Sequence, residues 1–254
     1  MKKFFKTIGI CLGLPILNLI IISIIQLIAA NLIFKNIDTF RNNMFSLVLI
    51  GNIINLIIIS FILSSKEYRI KDRIKIKKIP IKKYINILIL SIGMTILMLF
   101  LSGILSNLLH SYNNVANQLL VARVSIVQSI ITVILIPIYE EIFYRGIIFG
   151  YLRKNFNGGV AVLIQALVFG VVHLNLVQSI YTFILGIILA IIYIYSDSIL
   201  GSITAHIIFN LLGLIVLPTL VAKIPSIGIV LLIIGFIFSI FSIVKIIKVN
   251  KKSI

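Results

Sequence analysis

Long apolar runs, separated by short charged or turn-rich breaks, follow one another along the whole chain. A run of about 20 apolar residues is long enough to cross the hydrocarbon core of a bilayer as an α-helix. Read in this way, the pattern predicts eight membrane-spanning helices. They lie at about residues 8–34, 44–64, 84–109, 125–153, 159–174, 177–195, 198–217 and 226–248.

The composition supports this interpretation. Of the 254 residues 61% are hydrophobic and only 11% are charged, and the mean hydropathy is +1.23, which is typical of multi-pass membrane proteins rather than of soluble domains. We therefore predict an all-α, polytopic helical bundle that forms a single integral membrane domain over residues 1–254. The first run follows a basic start but continues to about Phe34 without a small-residue cleavage site, so we predict a retained span rather than a signal peptide.

The basic residues predict an orientation. Placing both termini in the cytoplasm puts eighteen Lys and Arg residues on the cytoplasmic side and four on the other, as the positive-inside rule requires. The net charge of +17 does not indicate nucleic acid, because the basic residues flank apolar spans and have no soluble domain to carry them. We expect anionic lipid to be their partner, including at the Ile- and Lys-rich segment from Lys66 to Lys83, for which a solvated basic loop is the alternative.

Three charged residues interrupt the fourth run: Glu140, Glu141 and Arg145. An ionisable side chain at mid-membrane costs at least ~2.5–3.5 kcal/mol, and the chain has only six acidic residues in all. Glu141 and Arg145 are four residues apart, so they share a helix face and can pair, which leaves Glu140 without a built-in partner. One interpretation is a structural ion pair beside a wet cavity, and the other is a functional site.

Later spans carry further polar residues at helical spacing. His173 follows Phe169 by four residues, and Asn210 follows His206 by four residues, so each pair shares one helix face. At ~1.5 Å per residue, Glu140, His173 and Asn210 all come to about 20 Å from their predicted cytoplasmic ends, with His206 one turn shallower. The depths are compatible with one intramembrane site.

Such a cluster could hydrolyse an amide bond. Glu140 would act as general base toward a water molecule and later protonate the leaving amine. His173, His206 and Asn210 would either bind a metal such as Zn²⁺ or donate hydrogen bonds to the tetrahedral oxyanion. Since an asparagine oxygen is a poor zinc ligand, a metal-free arrangement stays open.

At these residues the chain resembles the CAAX-protease and bacteriocin-processing (CPBP/Abi) family of intramembrane proteases. The shared pattern is a Glu-Glu pair with Arg four residues after the second Glu, then Phe with His four residues later, then His with Asn four residues later. The resemblance covers about residues 125–215. It implies an eight-helix fold in which Glu140 activates water, while His173, His206 and Asn210 bind a metal or the oxyanion.

Other classes of protein fit less well. The chain has no His-Glu-x-x-His zinc motif, no Gly-x-Ser-Gly serine motif and no pair of intramembrane aspartates. The alternatives to a protease are a non-catalytic bacteriocin immunity protein and a proton-coupled transporter, although no internal repeat supports a transporter. For a protease, we expect a multi-pass enzyme of the bacterial cytoplasmic membrane. Its substrate would be a membrane-associated peptide or protein, and we favour a peptide precursor over a prenylated protein.

Overall fold

The chain folds into a bundle of helices. The structure is a computed structural model that describes residues 2–63, 74–109, 119–121 and 125–251, and this part of the chain contains no strand. Its main helices are α1 (Phe4–Ile33), α2 (Ile37–Asn42), α3 (Met44–Ile62), α4 (Ile81–Leu108), α5 (Ile126–Asn155), α6 (Gly158–Val171), α7 (Leu176–Ser196), α8 (Ile199–Lys223) and α9 (Ile227–Lys251). All of these except α2 and α6 are long and apolar enough to cross a membrane. The predicted all-α class and the multi-pass membrane architecture are confirmed.

The fifth predicted span is present as a shorter helix. Helix α6 has 14 residues, which at ~1.5 Å per residue reach ~21 Å, about two-thirds of the hydrocarbon thickness. It ends at a tight turn in which Leu174 has a φ of 55°. Asn175 then caps α7, because its side chain accepts a hydrogen bond from the backbone N–H of Gln178. Helices α6 and α7 thus form a hairpin that carries His173 at its tip.

A glycine brings the two helices of this hairpin close together. A Cβ atom at Gly186 of α7 would lie 3.0 Å from the Cα and 3.1 Å from the Cβ of Ala166 in α6. Any side chain at position 186 would therefore press against α6. The close approach exposes the backbone carbonyl of Gly186 to side chains of the neighbouring helices, which matters for the site described below.

Two connections that the charge pattern places on one membrane face do meet in space. The ammonium groups of Lys75 and Lys77 each lie 2.5 Å from the carboxylate of Asp197, between α7 and α8. The backbone N–H of Ile199 donates to the Lys75 carbonyl at 2.8 Å, and the Ser198 hydroxyl donates to the Lys77 carbonyl at 2.8 Å. Ion pairs and hydrogen bonds therefore join the described end of the predicted basic loop to the α7–α8 turn. Its first part, residues 66–73, lies outside the described residues.

Further contacts place two more helix ends on this face. The Thr7 and Tyr151 hydroxyls hydrogen-bond at 3.0 Å, joining the start of α1 to the end of α5. The rings of Phe149 and Tyr193 lie 6.2 Å apart, joining α5 to the end of α7. These ends share one side of the bundle, as the sequence predicted. That this side is cytoplasmic stays a prediction of the charge count.

The ion pairs at Asp197 predict a pH-dependent contribution to stability. Hydrogen bonds from Lys75 and Lys77 lower the pKa of Asp197 from 3.8 to about 2. The stabilisation is therefore complete above about pH 4 and is lost as the pH falls through about 2. Because the side chains are half exposed, each pair contributes at most ~1 kcal/mol. We expect Asp197→Asn to lower the free energy of unfolding in detergent by about that amount at pH 6.

The control for this prediction is the same comparison under conditions that remove the charge or screen it. The difference between the wild type and Asp197→Asn should shrink below pH 2 and in about 1 M salt. A difference that stayed constant between pH 6 and pH 2 would show that the variant acts through packing rather than through charge.

The centre of the bundle is formed around α5 and α7. Half of the residues in the apolar stretch of each of these helices are buried inside the protein, compared with 28% for α1 and 22% for α9. The completely buried side chains include Phe143, Phe149 and Leu152 of α5, Phe169 of α6 and Leu189 of α7. Side chains of α1 and α9 instead leave large apolar surfaces on the outside, as is expected of helices in contact with lipid. Of the polar residues predicted from the sequence, Glu141, Arg145 and His206 are buried within this centre.

Candidate active site

Helix α5 is widened where it carries the charged motif. Its turns are π-helical over Ile131–Leu135 and over Glu141–Phe149. Pro137 stands between them and has no backbone N–H to donate to the preceding turn. Widened turns of this kind are frequent at functional sites. The second one begins at Glu141, directly after Glu140.

Glu141 is completely buried, and its carboxylate contacts two side chains. Its Oε1 atom accepts a hydrogen bond from Arg145 Nη1 at 2.9 Å and lies 2.8 Å from His206 Nδ1. The side chains of Glu141 and Arg145 are both 0% exposed. The ion pair predicted from the four-residue spacing is therefore present. A carboxylate paired with a guanidinium can only accept, so His206 Nδ1 carries the proton and donates.

Arg145 is held by groups outside the sequence motif. Its Nη2 atom donates to the Gly186 carbonyl at 3.3 Å, and Gln165 Nε2 donates to the same oxygen at 2.9 Å. The guanidinium also lies over the ring of Phe169, with 4.6 Å between Cζ and the ring centroid. Partners of this kind offset part of the cost of burying a charge. Sequence reasoning missed Gln165 and Gly186, although a glutamine within an apolar span was an available signal for the first of them.

Glu140 differs from its neighbour in accessibility. Its Oε2 atom lies 3.4 Å from His206 Nε2. Its side chain is 19% exposed, whereas that of Glu141 is completely buried. The two carboxylates thus lie at opposite nitrogens of the same imidazole. Glu140 is the one that a water molecule or a substrate can reach.

His173 lies at the tip of the α6–α7 hairpin and has a defined tautomer. Its Nδ1 atom is 2.8 Å from the Phe169 carbonyl oxygen, which can only accept. Nδ1 therefore carries the proton, and in the neutral ring Nε2 presents a lone pair. The rings of His173 and His206 both stand nearly perpendicular to Phe169, with centroid distances of 5.3 and 5.9 Å. Phe169, four residues before His173, is the packing surface that both imidazoles share.

Asn210 joins α8 to α5. Its Nδ2 atom donates to the Thr132 carbonyl at 3.0 Å, and this bond fixes the orientation of the amide. A primary amide has two N–H donors, so one of them is not used in this bond. The structure therefore collects Glu140, Glu141, Arg145 and His206 into one contact network. His173 packs against the same Phe169 ring as His206, and Asn210 is attached to α5 two turns before Glu140.

A hydrogen bond from α3 supports α5 next to Glu140. The hydroxyl of Tyr139 accepts from Asn55 Nδ2 at 2.8 Å, and both side chains are buried. The Tyr139 ring also stacks on Phe143 at a centroid distance of 5.6 Å. Sequence reasoning did not identify Asn55 or Tyr139. They hold the segment that carries both glutamates against the neighbouring helix.

The residues predicted as metal ligands each contact other groups of the protein. Within the described ranges, no three His, Cys, Asp or Glu side chains come together in a way that could hold a metal ion. His206 faces one glutamate with each nitrogen, and the nitrogen of Asn210 is bound to Thr132. The metal role of His173, His206 and Asn210 therefore stays a prediction. The chemistry proposed below uses the protein's own side chains.

The arrangement defines a class of protein: a multi-pass membrane protein in which two adjacent glutamates contact one histidine between its helices. Residues 122–212, which include all six predicted site residues, match the family model for type II CAAX prenyl endopeptidase Rce1-like proteins. This match supports the similarity of the segment to the CAAX-protease and bacteriocin-processing family.

A curated relative supports the same assignment. Over 81 residues the chain is 37% identical to the Bacillus subtilis (strain 168) protein named "Putative membrane peptidase YdiL". The aligned part covers 32% of this chain and 33% of that protein. No solved structure matches the chain.

Proposed function

We propose that this protein is an intramembrane endopeptidase that hydrolyses a peptide bond in a membrane-associated peptide or protein. The observation that carries the proposal is that the two adjacent carboxylates differ in burial and in the side chains that they contact. Glu141 is sealed and paired with Arg145 and His206, whereas Glu140 is accessible and lies 3.4 Å from His206 Nε2. The family of the segment 122–212 and the peptidase name of the Bacillus subtilis relative support the same class of activity.

The first step uses Glu140 as general base. A water molecule beside Glu140 gives a proton to the carboxylate while its oxygen attacks the scissile carbonyl carbon. The lone pair on Nε2 of His173 or His206 accepts the other proton of this water in a hydrogen bond and so orients it. When the C–N bond breaks, Glu140 passes its proton to the leaving amine and returns to the carboxylate form.

The tautomers suggest which residue stabilises the oxyanion. When His173 and His206 are neutral, their Nδ1 contacts place the proton on Nδ1, so their Nε2 atoms have no hydrogen to donate. Asn210 keeps one N–H that is not used by Thr132. We therefore assign Asn210 as the oxyanion donor, a role for which the loss of one donor typically costs about 10²–10³ in kcat. Glu141 and Arg145 act by orienting His206.

The substrate has to reach this site from the membrane, because Glu140 and His206 lie within the membrane-spanning helices α5 and α8. A lipid-anchored tail, an amphipathic leader or the end of a transmembrane segment could present its scissile bond there. We favour a peptide precursor, such as that of a bacteriocin, over a prenylated CAAX protein, and we place the enzyme in the bacterial cytoplasmic membrane. Anionic lipid is the expected partner of the basic face around Lys75 and Lys77.

The test of the proposal is a comparison of peptide termini in cells that carry the wild type or Glu140→Gln. New termini in membrane-associated peptides that depend on Glu140 are the expected result. Purified wild-type protein in detergent should cleave the same peptides without an ion gradient. Activity that required a proton gradient would favour the transporter, and protection of cells from a bacteriocin by Glu140→Gln would favour an immunity protein.

Zinc is tested separately. Because the described side chains form no three-ligand group, we expect purified, active protein to keep its activity after treatment with a chelator such as EDTA. Elemental analysis of the same sample should find less than one zinc ion per chain. Zinc in a one-to-one ratio that is lost together with activity, and restores it when added back, would contradict the metal-free assignment.

A further inference from the structure

A small cleft lies between α4, α7 and α8. Its volume is about 50 Å³. The residues that line it include Thr95, Met98 and Ser102 of α4, Tyr181 of α7, and Phe209 and Gly213 of α8. The mechanism above assigns no role to this cleft.

Its position connects it to the proposed active site. Phe209 directly precedes Asn210, and Gly213 follows Asn210 by three residues, which places both on the part of α8 that carries the proposed oxyanion donor. Helix α8 is widened over Leu211–Val216, starting directly after Asn210. Phe209 also packs against the buried apolar core that contains Phe169. If Asn210 binds the carbonyl group of a substrate, the side chain of the substrate residue next to that carbonyl would therefore lie near the cleft.

The walls of the cleft are suited to an aliphatic group. The Thr95 hydroxyl donates to the Ser91 carbonyl at 2.6 Å, and the Ser102 hydroxyl donates to the Leu99 carbonyl at 2.9 Å. The protons of these two hydroxyls are therefore used within α4. Met98, Leu99, Phe209 and the methyl group of Thr95 provide apolar surface. A charged side chain would lose its hydration here without gaining a charged partner among the lining residues.

The size of the cleft limits what it can hold. An engineered cavity of about 150 Å³ in another protein holds one benzene molecule, which has six carbon atoms. A cleft of about 50 Å³ therefore has room for about two or three carbon atoms, so it admits aliphatic side chains up to the size of valine, which has three.

One glycine and one methyl group set the width of the cleft. A Cβ atom built on Gly213 would lie 3.5 Å from Cγ2 of Thr95, an ordinary van der Waals distance. Alanine at position 213 would thus fit without strain and would take up space in the cleft. Thr95→Ser would do the opposite, because it removes the methyl group and keeps the hydroxyl that bonds Ser91.

We propose that this cleft receives a small aliphatic side chain of the substrate, adjacent to the bond that is cut. The preferred substrates are then membrane peptides with an alanine- or valine-sized residue at that position. Thr95 and Gly213 determine this specificity. The inference rests on the proposed peptidase function and adds a substrate class to it.

The experiment uses purified full-length protein and a digest of bacterial membrane proteins in detergent as the probe. Mass spectrometry of the new termini shows which residues flank each cleavage. One methylene in an apolar pocket changes specificity by at least about tenfold. We therefore expect Gly213→Ala to shift the preference from valine toward alanine by about this factor, and Thr95→Ser to shift it toward leucine.

The double variant and a matched control make the test decisive. Gly213→Ala combined with Thr95→Ser exchanges one methyl for another across the cleft and should restore the wild-type preference. Gly103→Ala adds a methyl group on α4 where no atom lies within 4 Å, and it should change nothing. Cleavage with a preference that neither single variant moves would overturn the inference and leave the peptidase function intact. No cleavage by the wild type would overturn both.

Discussion

Glu140→Gln is expected to lower the rate of peptide-bond cleavage by about 10²–10⁴, the usual contribution of a general base. Glutamine keeps the shape of the side chain but cannot take a proton from water. The substrate is a peptide identified by comparing peptide termini in cells with the wild type and with Glu140→Gln. The rate at which purified protein in detergent cleaves this peptide is measured. Because Glu140 is partly exposed, the variant should fold as well as the wild type. Activity within about tenfold of the wild type would show that Glu140 is not the base.

Glu141→Gln is the matched control for this assignment. It is the same substitution one residue later, but it affects a carboxylate that is completely buried and bound to Arg145 and His206. We expect it to lower the yield of folded protein as much as it lowers turnover. If instead Glu141→Gln abolished cleavage in fully folded protein while Glu140→Gln did not, the roles of the two glutamates would be reversed.

Arg145→Met is expected to lower the free energy of unfolding by about 3–5 kcal/mol, because it leaves a buried carboxylate without its cation. Glu141 is 0% exposed, so water cannot replace the guanidinium. Unfolding by denaturant in a fixed detergent measures the effect. Lys154→Met, at the exposed end of the same helix, is the matched control and should change stability by less than about 0.5 kcal/mol.

A double variant separates the lost ion pair from lost packing. Glu141→Gln removes the charge that Arg145→Met leaves behind, and the amide oxygen of glutamine can still accept from His206 Nδ1. Replacing both partners of a buried pair is often nearly neutral. The double variant should therefore be more stable than Arg145→Met alone. If the two losses simply added, the pair would not be the reason for the destabilisation.

Several features followed from local rules and could be predicted from the sequence. Membrane spans were predictable because a segment that crosses lipid has to satisfy its backbone hydrogen bonds within one long apolar helix, whichever helices lie next to it. The Glu141–Arg145 pair was predictable because residues four apart share a helix face. The location of the basic segment and the α7–α8 turn on the same side of the bundle followed from the alternation of charge across the membrane.

Other features required knowledge of which helices pack together. The sequence left Glu140 without a partner, but in the structure α8 brings His206 between the two glutamates, with one carboxylate at each ring nitrogen. Nothing within α5 could show this, because the contact joins residues about 65 positions apart. The orientations of His173 and Asn210 could not be predicted for a similar reason: they depend on which backbone carbonyls lie next to them.

The sequence by itself therefore determined that this is an all-helical membrane protein and which polar residues lie in its spans, since hydropathy and helical periodicity act within one helix at a time. Only the tertiary structure decided which carboxylate is sealed, which imidazole nitrogens carry protons and that Gln165 and Gly186 hold Arg145. It also decided that α6 is too short to cross the bilayer by itself. These properties depend on contacts between helices that are distant in the chain, and close packing at residues such as Gly186 sets those contacts.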